Sequence, residues 1–374
     1  MALGTTVSAI TREKFIPVLV DNIYNSNVLC LKLLKNAEKL DGGKNIVTPV
    51  EYAKLSGSTS GWIDDGGATA TATEETVQKA TWDWSTGYVG LKIPGSEELV
   101  NKGSSQVISL LKSKLKSAEK KFKDMFGDSM FDNDGTLDAN AITAISGGGT
   151  IASADYTAVD AGVALIETMP DTSTFHFPGN INGAIVGYNR TLGGIDSDSN
   201  AWWNAKLGTF AQSGGIETTT STASCSWTEL VTLSAGVSNL SKAMTRMYGA
   251  LTVDNDQPDL IITTQAIYDA YETSLQANKR FAGGDEIANA GFDSLRFKGA
   301  TVVVDSHVPA GQMYFLNTDY LDFKVHSGRN FAFEDFRRLE GSDNLQSRLF
   351  WMGQLVCTNP RMQGVLGGGP SDYA

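Results

Sequence analysis

The sequence has few of the residues that build disulfide frameworks, metal centres or membrane spans. Its 374 residues include three cysteines and three histidines. The cysteines are odd in number and far apart, so they form no fully paired disulfide set and no C-x-x-C site. We interpret Cys30, Cys225 and Cys357 as buried thiols of a reducing compartment. No run approaches the roughly 18 apolar residues of a membrane span, and residues 1–10 do not resemble a signal peptide. We therefore expect a soluble chain that stays in the cytoplasm where it is made.

Motifs for catalysis are also lacking. The histidines are His176, His307 and His326. None has a second histidine three or four residues away, as a metal pair on a helix would. There is no Gly-x-Ser-x-Gly nucleophile elbow and no Gly-Lys-Ser phosphate loop. A polar loop explains Asp196 and Asp198 better than a cation site does, and a packed anchor explains Trp202 and Trp203 better than a stacking platform does. The sequence predicts no enzyme, no cofactor and no metal site.

The charge balance is acidic, with 30 Lys+Arg against 42 Asp+Glu and a net charge of −12. Such a surface does not grip nucleic acid by neutralising phosphates, which needs a basic face. Residues 107–126 are the exception, since six lysines there outweigh Glu119 and Asp124. A solvated helix face is the plainest explanation. A membrane surface, a groove-binding peptide and nucleic acid stay open as partners of a basic amphipathic helix.

Residues 44–93 predict a long two-stranded arm. Residues 44–54 and 79–93 have the composition and alternation of strands, and Pro49 places the first of them at an edge. The segment between them is rich in Gly, Ser and Thr and has little to bury. Because a two-stranded hairpin is marginal alone in water, we expect this one to lie against something else. An ordinary hairpin within a larger sheet is the alternative.

A long helix is predicted next, over about residues 102–126. Its apolar stripe recurs at steps of three and four residues. The stripe comprises Ile108, Leu111, Leu115, Ala118, Phe122 and Met125. From Gly127 to about residue 225 the chain is rich in loop-forming residues.

The remaining chain mixes helices and strands. A second helix is predicted over 226–248, with Ser226 as its cap and Glu229 at the capping-box position. Later elements are a strand at 258–264, a helix at 264–277, strands at 301–305 and 313–317 around a turn at 309–311, and strands at 321–325 and 348–358. Because no βαβ unit repeats, we expect an α+β fold.

Several short phrases follow one another along the chain in a characteristic order. They are GGIDSDSNAWWN (193–204), LRFKGATVVVD (295–305), VPAGQMYFLNTDYL (308–321), RNF (329–331), WMGQLV (351–356) and NPRMQGVL (359–366). With these phrases in this order, the sequence resembles the major capsid proteins of tailed bacteriophages, whose fold is called Hong Kong 97-like. The order of predicted elements agrees with that family over nearly the whole chain.

The resemblance implies a division of the chain into five segments. They are an N-terminal arm at 1–43, an extended loop at 44–93, a peripheral domain at 94–248 with a spine helix at about 102–126 and a loop insertion at about 127–225, an axial domain at 249–324, and a return to the peripheral domain at 325–374. It also implies that the extended loop overlaps an adjacent subunit. The first helical region is short, so any scaffold is expected to be a separate chain. No lysine lies between Lys54 and Lys79, so we expect no covalent cross-link from this loop.

The resemblance implies that the chain assembles with further copies of itself. These copies would form the pentamers and hexamers of an icosahedral head around double-stranded DNA. A scaffolding protein, a portal and a decoration protein are further expected partners, the DNA is held without sequence-specific contacts, and no membrane is involved. Assembly is expected in the cytoplasm of the host bacterium and the final location in the virion.

Two sets of residues are expected to serve assembly. The predicted inter-subunit contacts are Trp62, Ile63, Trp82, Trp84 and Tyr88. The predicted inward-facing basic face is Lys112, Lys116, Lys120, Lys121 and Lys123.

Two other classes of function stay open. An encapsulin-type compartment would share the fold and enclose cargo enzymes, and a cargo-peptide groove on its inner wall would favour it. A hydrolase or a non-enzymatic glycan-binding module is the non-structural alternative, which a polar pocket with perturbed pKa values would favour.

Overall fold

The structure is a computed structural model. It describes residues 28–34, 37–53, 62–63, 65, 75–95, 104–131, 141–145, 185–186, 191–197, 199–210, 233–234, 237–275, 295–338, 341 and 343–367. Several predictions lie outside these residues: those for the start of the N-terminal arm (1–27), most of the loop insertion (146–184 and 211–225), the start of the second helix (226–232), His176, Asp198 and Cys225.

Four helices and eighteen strands are formed within the described residues. The helices are α1 (Val28–Leu34), α2 (Ser104–Phe131), α3 (Asn239–Leu251) and α4 (Gln265–Ser274). The strands are β1 (Glu38–Leu40), β2 (Ile46–Glu51), β3 (Val77–Trp82), β4 (Ser85–Pro94), β5 (Thr191–Leu192), β6 (Ile195–Asp196), β7 (Lys206–Thr209), β8 (Leu233–Ser234), β9 (Val237–Ser238), β10 (Leu260–Thr263), β11 (Leu295–Phe297), β12 (Ala300–Val304), β13 (Met313–Leu316), β14 (Leu321–His326), β15 (Ala332–Phe333), β16 (Arg337–Arg338), β17 (Asn344–Cys357) and β18 (Gly364–Gly367). None of these helices is long and apolar enough to cross a membrane.

The first six-stranded sheet is organised around β17, its longest strand. Along one side, β4 pairs antiparallel with it, from Asn344 opposite Pro94 to Gly353 opposite Ser85. Along the other side, β14 pairs with its C-terminal part, and β15 and β16 pair with its N-terminal part. β1 adds a parallel edge beyond β14. The sheet therefore joins segments from near both ends of the chain.

α2 lies across one face of this first sheet, because its apolar stripe faces that way. Leu115 and Ala118 cluster with buried side chains of β4. Further along the helix, Phe122 is fully buried, and the ring of Phe126 meets Trp351 of β17 edge-on with 4.9 Å between the ring centroids. Burying an aromatic ring of this size contributes roughly 1.5–3 kcal/mol. The predicted stripe is thus the helix's packing face wherever its side chains are described.

The end of α2 differs from the prediction. Gly127 does not stop the helix, which continues to Phe131. Met130 and Phe131 are fully buried in the main core, and Phe131 packs against Tyr314 with 5.6 Å between the ring centroids. Burial of these two side chains outweighs the ~1 kcal/mol that a glycine costs inside a helix.

The second sheet has six strands in the order β11-β12-β10-β13-β18-β7. The side chains of β10, β13 and β18 are buried throughout, as is typical of strands covered on both faces. One face packs under α3 and α4, where Ile261 and Phe315 join the helix side chains. The other face, with Ile262 and Tyr314, joins the core beneath the first sheet. The α+β prediction is confirmed, and the two sheets share a continuous core.

The predicted strand at 79–93 proves to be two strands with different partners. Residues up to Trp82 pair with β2 as a hairpin, while β4 leaves the hairpin and pairs with β17. The side-chain amide of Gln354 donates to the backbone oxygen of Asp83 at 2.9 Å, which fixes the chain where it changes partner. The predicted 44–93 arm is therefore shorter, because the part that projects as a hairpin ends at Trp82.

One further prediction is corrected. The helix predicted over 226–248 is not continuous, because residues 233–234 and 237–238 form the short antiparallel pair of β8 and β9, and α3 begins at Asn239. The strands predicted at 301–305 and 313–317 form close to those positions as β12 and β13, and β10 lies between them in the second sheet.

Candidate assembly surfaces

The β2–β3 hairpin has one buried and one exposed face. Ile46, Val50, Ala80 and Trp82 belong to the main core of the same chain. The hairpin was expected to lie against something else, and its inner face does so by packing on the core of its own chain. On the outer face, Val47 is 58% exposed and Val77 56% exposed. Strand alternation places these residues on one side, so the outer face presents apolar side chains to solvent.

Neighbouring loop residues hold the hairpin in place. The backbone amide of Thr81 donates to the oxygen of Gly193 at 2.7 Å. At the start of the tip, the ring of Tyr52 stacks on Trp202 with 5.2 Å between the centroids. Trp203 is fully buried and donates its indole N–H to the oxygen of Leu192 at 2.9 Å. The interpretation of the Trp202-Trp203 pair as a packed anchor is confirmed.

Trp82 is the one predicted inter-subunit residue that the structure contradicts. Only 4% of its surface is exposed, and it lies in the main core against Gly193. A Cβ at Gly193 would come within 3.1 Å of the indole, and this glycine has a φ of +60°. Trp82 therefore fixes the hairpin to its own chain and has no surface left for a second copy.

Trp84 is partly buried and has partners within its own chain. Its indole N–H donates to the oxygen of Gly43 at 3.0 Å. Its ring meets His326 edge-on, with 5.7 Å between the centroids. An inter-subunit role for Trp84 stays a prediction, limited to the part of the ring that solvent reaches.

The other predicted contacts are on the surface. Trp62 is fully exposed and Ile63 is 60% exposed, both in the tip of the hairpin. Tyr88 of β4 is 63% exposed and lies on the face of the first sheet opposite α2. Exposed aromatic and branched apolar side chains of this size are typical of interaction sites when they cluster. Their role in contacts between subunits stays a prediction.

The basic residues of α2 lie away from the sheet. Lys116, Lys120 and Lys121 are exposed. The side chains of Lys112 and Lys123 lie outside the part of the chain that the structure describes. Lys116 and Lys120 share a face of the helix because they are four residues apart, and Lys121 lies further round the exposed side. The helix therefore buries its apolar stripe and presents positive charge on its other side, in an otherwise acidic protein.

A His–Asp pair that the sequence reasoning missed joins the second sheet to α2. The Nδ1 atom of His307 lies 2.8 Å from the Oδ1 atom of Asp305. This hydrogen bond raises the pKa of His307, with help from the carboxylates of Asp124 and Asp128 on α2 and against the lowering effect of burial. The Asp-x-His spacing was the available sequence signal. Among the described residues, the contacts of His307 join the loop after β12 to α2, which gives the pair a structural role.

Among the described residues, no three His, Cys, Asp or Glu side chains lie close enough together to hold a metal ion. Asp196 instead accepts hydrogen bonds within its own turn. Its carboxylate accepts from the Ser199 hydroxyl at 3.3 Å, and its backbone oxygen accepts from the Asn200 amide at 2.8 Å. Cys357 is buried in the main core, as predicted.

No protein-family model matches the chain, and no curated protein does. Solved structures do resemble it. The capsid asymmetric unit of cyanophage A-1(L) has a TM-score of 0.55 and 15% identity, covering 92% of each chain. The capsid of a native GTA particle has a TM-score of 0.51 and 10% identity, covering 90% of each chain. The capsid of the empty GTA particle gives 0.50 and 10%, covering 90% of this chain and 89% of that one. The chain has the fold of these capsid proteins, as the sequence resemblance implied.

Proposed function

We propose that this chain is the major capsid protein of a tailed double-stranded DNA bacteriophage, and that it assembles into pentamers and hexamers of an icosahedral head. The observation that carries the proposal is that the fold agrees with phage capsid proteins over about nine tenths of both chains. A fold alone does not define a function. The exposed apolar residues of the hairpin supply independent support, because a monomeric protein has little use for them.

In this proposal the two sheets correspond to the two domains of the subunit. The first sheet and α2 form the peripheral domain, with α2 as its spine helix. The second sheet with α3 and α4 forms the axial domain at the centre of each capsomer. Because β7, α3 and β18 pack with the second sheet, the axial domain takes in more of the chain than residues 249–324. Residues 46–82 form the extended loop that contacts a neighbouring subunit, through Trp62 and Ile63 among others.

The exposed lysines of α2 face the enclosed DNA in this account. Lys116, Lys120 and Lys121 lie on the side of α2 that the sheet leaves open. A few cations on a wall suffice to offset repulsion from DNA, while the net charge of −12 prevents tight binding over the whole surface. Weak attraction at a few lysines within an acidic shell would let the DNA slide while the head fills. The role is structural, with no catalysis by this chain.

Further partners follow from the proposed function. A head of this kind needs a scaffolding protein to set its size and a portal at one vertex, and its outer surface offers sites for a decoration protein. All of these would assemble with the chain in the bacterial cytoplasm, and the chain would leave the cell as part of the virion.

The proposal is tested by expressing the chain with and without the neighbouring genes of its genome and examining the product by negative-stain microscopy. We expect hollow shells when a scaffold is present, and nuclease-protected DNA inside them when the full phage set is present. Shells that enclose a protein cargo and form with no phage gene would instead identify an encapsulin-type compartment. A product without shells under every condition would overturn both.

A further inference from the structure

The contact between His307 and α2 joins the two sheets at a place that solvent reaches. The imidazole lies against Gly127, because a Cβ built there would overlap three atoms of the ring. About a quarter of the His307 side chain is exposed, 24%, whereas only 7% of the Asp305 side chain is. Protons from solvent can therefore bind to and leave a ring that is packed against the helix.

Asp305 orients the ring and determines which of its nitrogens titrates. The Oδ1 atom of Asp305 accepts from the backbone amide of His307 at 3.0 Å and lies 2.8 Å from Nδ1 of the ring. An ionised carboxylate can only accept hydrogen bonds, so Nδ1 carries a hydrogen whether the ring is neutral or charged. The proton that is gained and lost is therefore the one on Nε2.

Two carboxylates of α2 face the same ring. Asp124 and Asp128 are exposed and lie four residues apart, on one face of the helix. The hydrogen bond to Asp305 is the main cause that raises the pKa of His307, burial lowers it, and the charges of Asp305, Asp128 and Asp124 raise it further. These three carboxylates are the charged groups that face the ring among the described residues. A protonated ring offsets their mutual repulsion, and a neutral ring does not.

We propose that His307 is a proton-dependent clamp between the second sheet and α2. With Nε2 protonated, the imidazolium attracts Asp124 and Asp128 and holds the loop after β12 against the last turns of the helix. When Nε2 loses its proton, these carboxylates and Asp305 repel one another, and the loop separates from α2 more readily. The coupling between the two sheets is therefore stronger in acid than in base.

Apolar contacts beside the clamp limit its opening to a local one. Met130 and Phe131 are fully buried in the main core, and the ring of Phe131 packs on Tyr314 with 5.6 Å between the centroids. This packing does not titrate between pH 5.5 and 8.5, so it persists when the clamp loosens. Loss of the proton on His307 should thus raise the frequency of local opening at the end of α2 and leave the fold intact.

Hydrogen exchange of the purified full-length chain tests the clamp without any shell. Amide exchange in residues 124–131 and 305–308 is followed by mass spectrometry between pH 5.5 and 8.5, with exchange times scaled to the intrinsic rate at each pH. We expect protection in both segments to be highest at the acid end and to fall several-fold as the pH rises, because the pKa of His307 is raised in the folded chain. Protection that stays constant or increases with pH would overturn the proposal.

Three variants assign the pH dependence to this site. His307→Gln should remove it, since glutamine does not titrate. Asp124→Asn combined with Asp128→Asn should move the loss of protection to lower pH, because two charges that favour the proton are gone; both side chains are exposed, so this variant keeps the fold. His326→Gln is the matched control in β14 of the first sheet and should behave as the wild type does. An unchanged pH dependence in His307→Gln, or an unmoved transition in the double variant, would overturn the clamp.

One consequence rests on the proposed function, since it concerns assembled shells. Shells of the wild type and of His307→Gln are treated with increasing urea at pH 6 and pH 8, and intact particles are counted by electron microscopy. Wild-type shells should withstand more urea at pH 6 than at pH 8, and this difference should be smaller in His307→Gln. An equal difference in both chains would overturn a role of the clamp in shells. A wild-type chain that forms no shells under any condition would overturn the proposed function, whereas the exchange experiment tests the clamp in the free subunit.

Discussion

The imidazole of His307 lies directly against Gly127, one turn before the end of α2. A Cβ built at residue 127 would overlap three atoms of that ring. Asp305 holds the ring in this position through the hydrogen bond to Nδ1. The loop between β12 and β13 is therefore pinned to the long helix at the helix's only glycine. This contact and the packing of Phe131 on Tyr314 tie the second sheet to the helix that spans the first sheet.

Gly127→Ala should destabilise the protein by about 1–3 kcal/mol, although alanine is the better helix residue, because the added methyl group overlaps the His307 ring. Thermal or urea unfolding of the purified chain measures this. Gly249→Ala is the matched control in α3, where a Cβ meets nothing within 4 Å, and should raise stability by about 0.5–1 kcal/mol. If the two substitutions changed stability alike, the close approach of His307 would be refuted.

The His307 pair should make stability depend on pH. Its pKa is raised in the folded protein, so protonated His307 stabilises the fold. This contribution is fully present below the ordinary histidine pKa of about 6.5 and is lost as the pH rises through the raised value. The facing carboxylates that favour the proton are Asp305, Asp124 and Asp128.

The measurement is the free energy of unfolding of the wild type and of His307→Gln between pH 5.5 and 8.5. We expect the difference between them to be largest at the acid end and to shrink as the pH rises. A difference that stays constant, or that grows toward pH 8.5, would show that protonation of His307 does not support this contact.

Trp82 and Trp62 should respond oppositely to the same substitution. Trp82→Ala removes a ring that is 4% exposed in the main core and should cost about 3–5 kcal/mol of stability. Trp62→Ala removes a fully exposed ring and should leave unfolding unchanged while reducing shell formation. Unfolding of the chain and electron microscopy of the product separate the two effects. Loss of stability in Trp62→Ala would show that this residue belongs to its own chain's core.

The helices and strands whose packing depends on residues close together in the sequence were predicted from the sequence. The apolar stripe of α2, the buried strand β10 and the helix α4 follow from side-chain periodicity within a few turns, and each lies close to its predicted position. The end of α2 was missed because Met130 and Phe131 are buried by residues far away in sequence, such as Tyr314, and because the space beside Gly127 is filled by the equally distant His307. A glycine that ends a helix and one that makes room for a ring look the same in the sequence.

The pairing partners of the strands could not be predicted from the local sequence pattern either. The alternation of residues 79–93 is continuous, but the chain changes partner at Asp83, where the distant side chain of Gln354 binds it. For the same reason Trp82 was grouped with the exposed aromatic residues. Its neighbours Gly193 and Ile46 come from separate segments, and only the assembled fold shows that the ring is enclosed. Trp62 and Tyr88 are exposed, and their predicted role in contacts between subunits stays a prediction.

The lysines of α2 should control how shells hold DNA. Changing Lys116, Lys120 and Lys121 together to Gln removes three positive charges from the exposed side of the helix. If these lysines contact phosphates, DNA release from filled particles should occur at lower salt, and the logarithmic salt slope should fall by about 0.9 for each phosphate that is no longer neutralised. Lys79→Gln on the outer face of the hairpin is the control and should release DNA as the wild type does. Identical filling and release in the triple variant would place this face away from the DNA.

The most direct test of the central claim is sedimentation of the purified chain over a wide concentration range, with limited proteolysis of the same samples. An assembling subunit should convert to particles of many copies as the concentration rises, and cleavage within residues 57–76 should be fast in free subunits and suppressed in the particles. A compact monomer at every concentration, with that segment already resistant to protease, would contradict the assignment of this chain as a shell-forming protein.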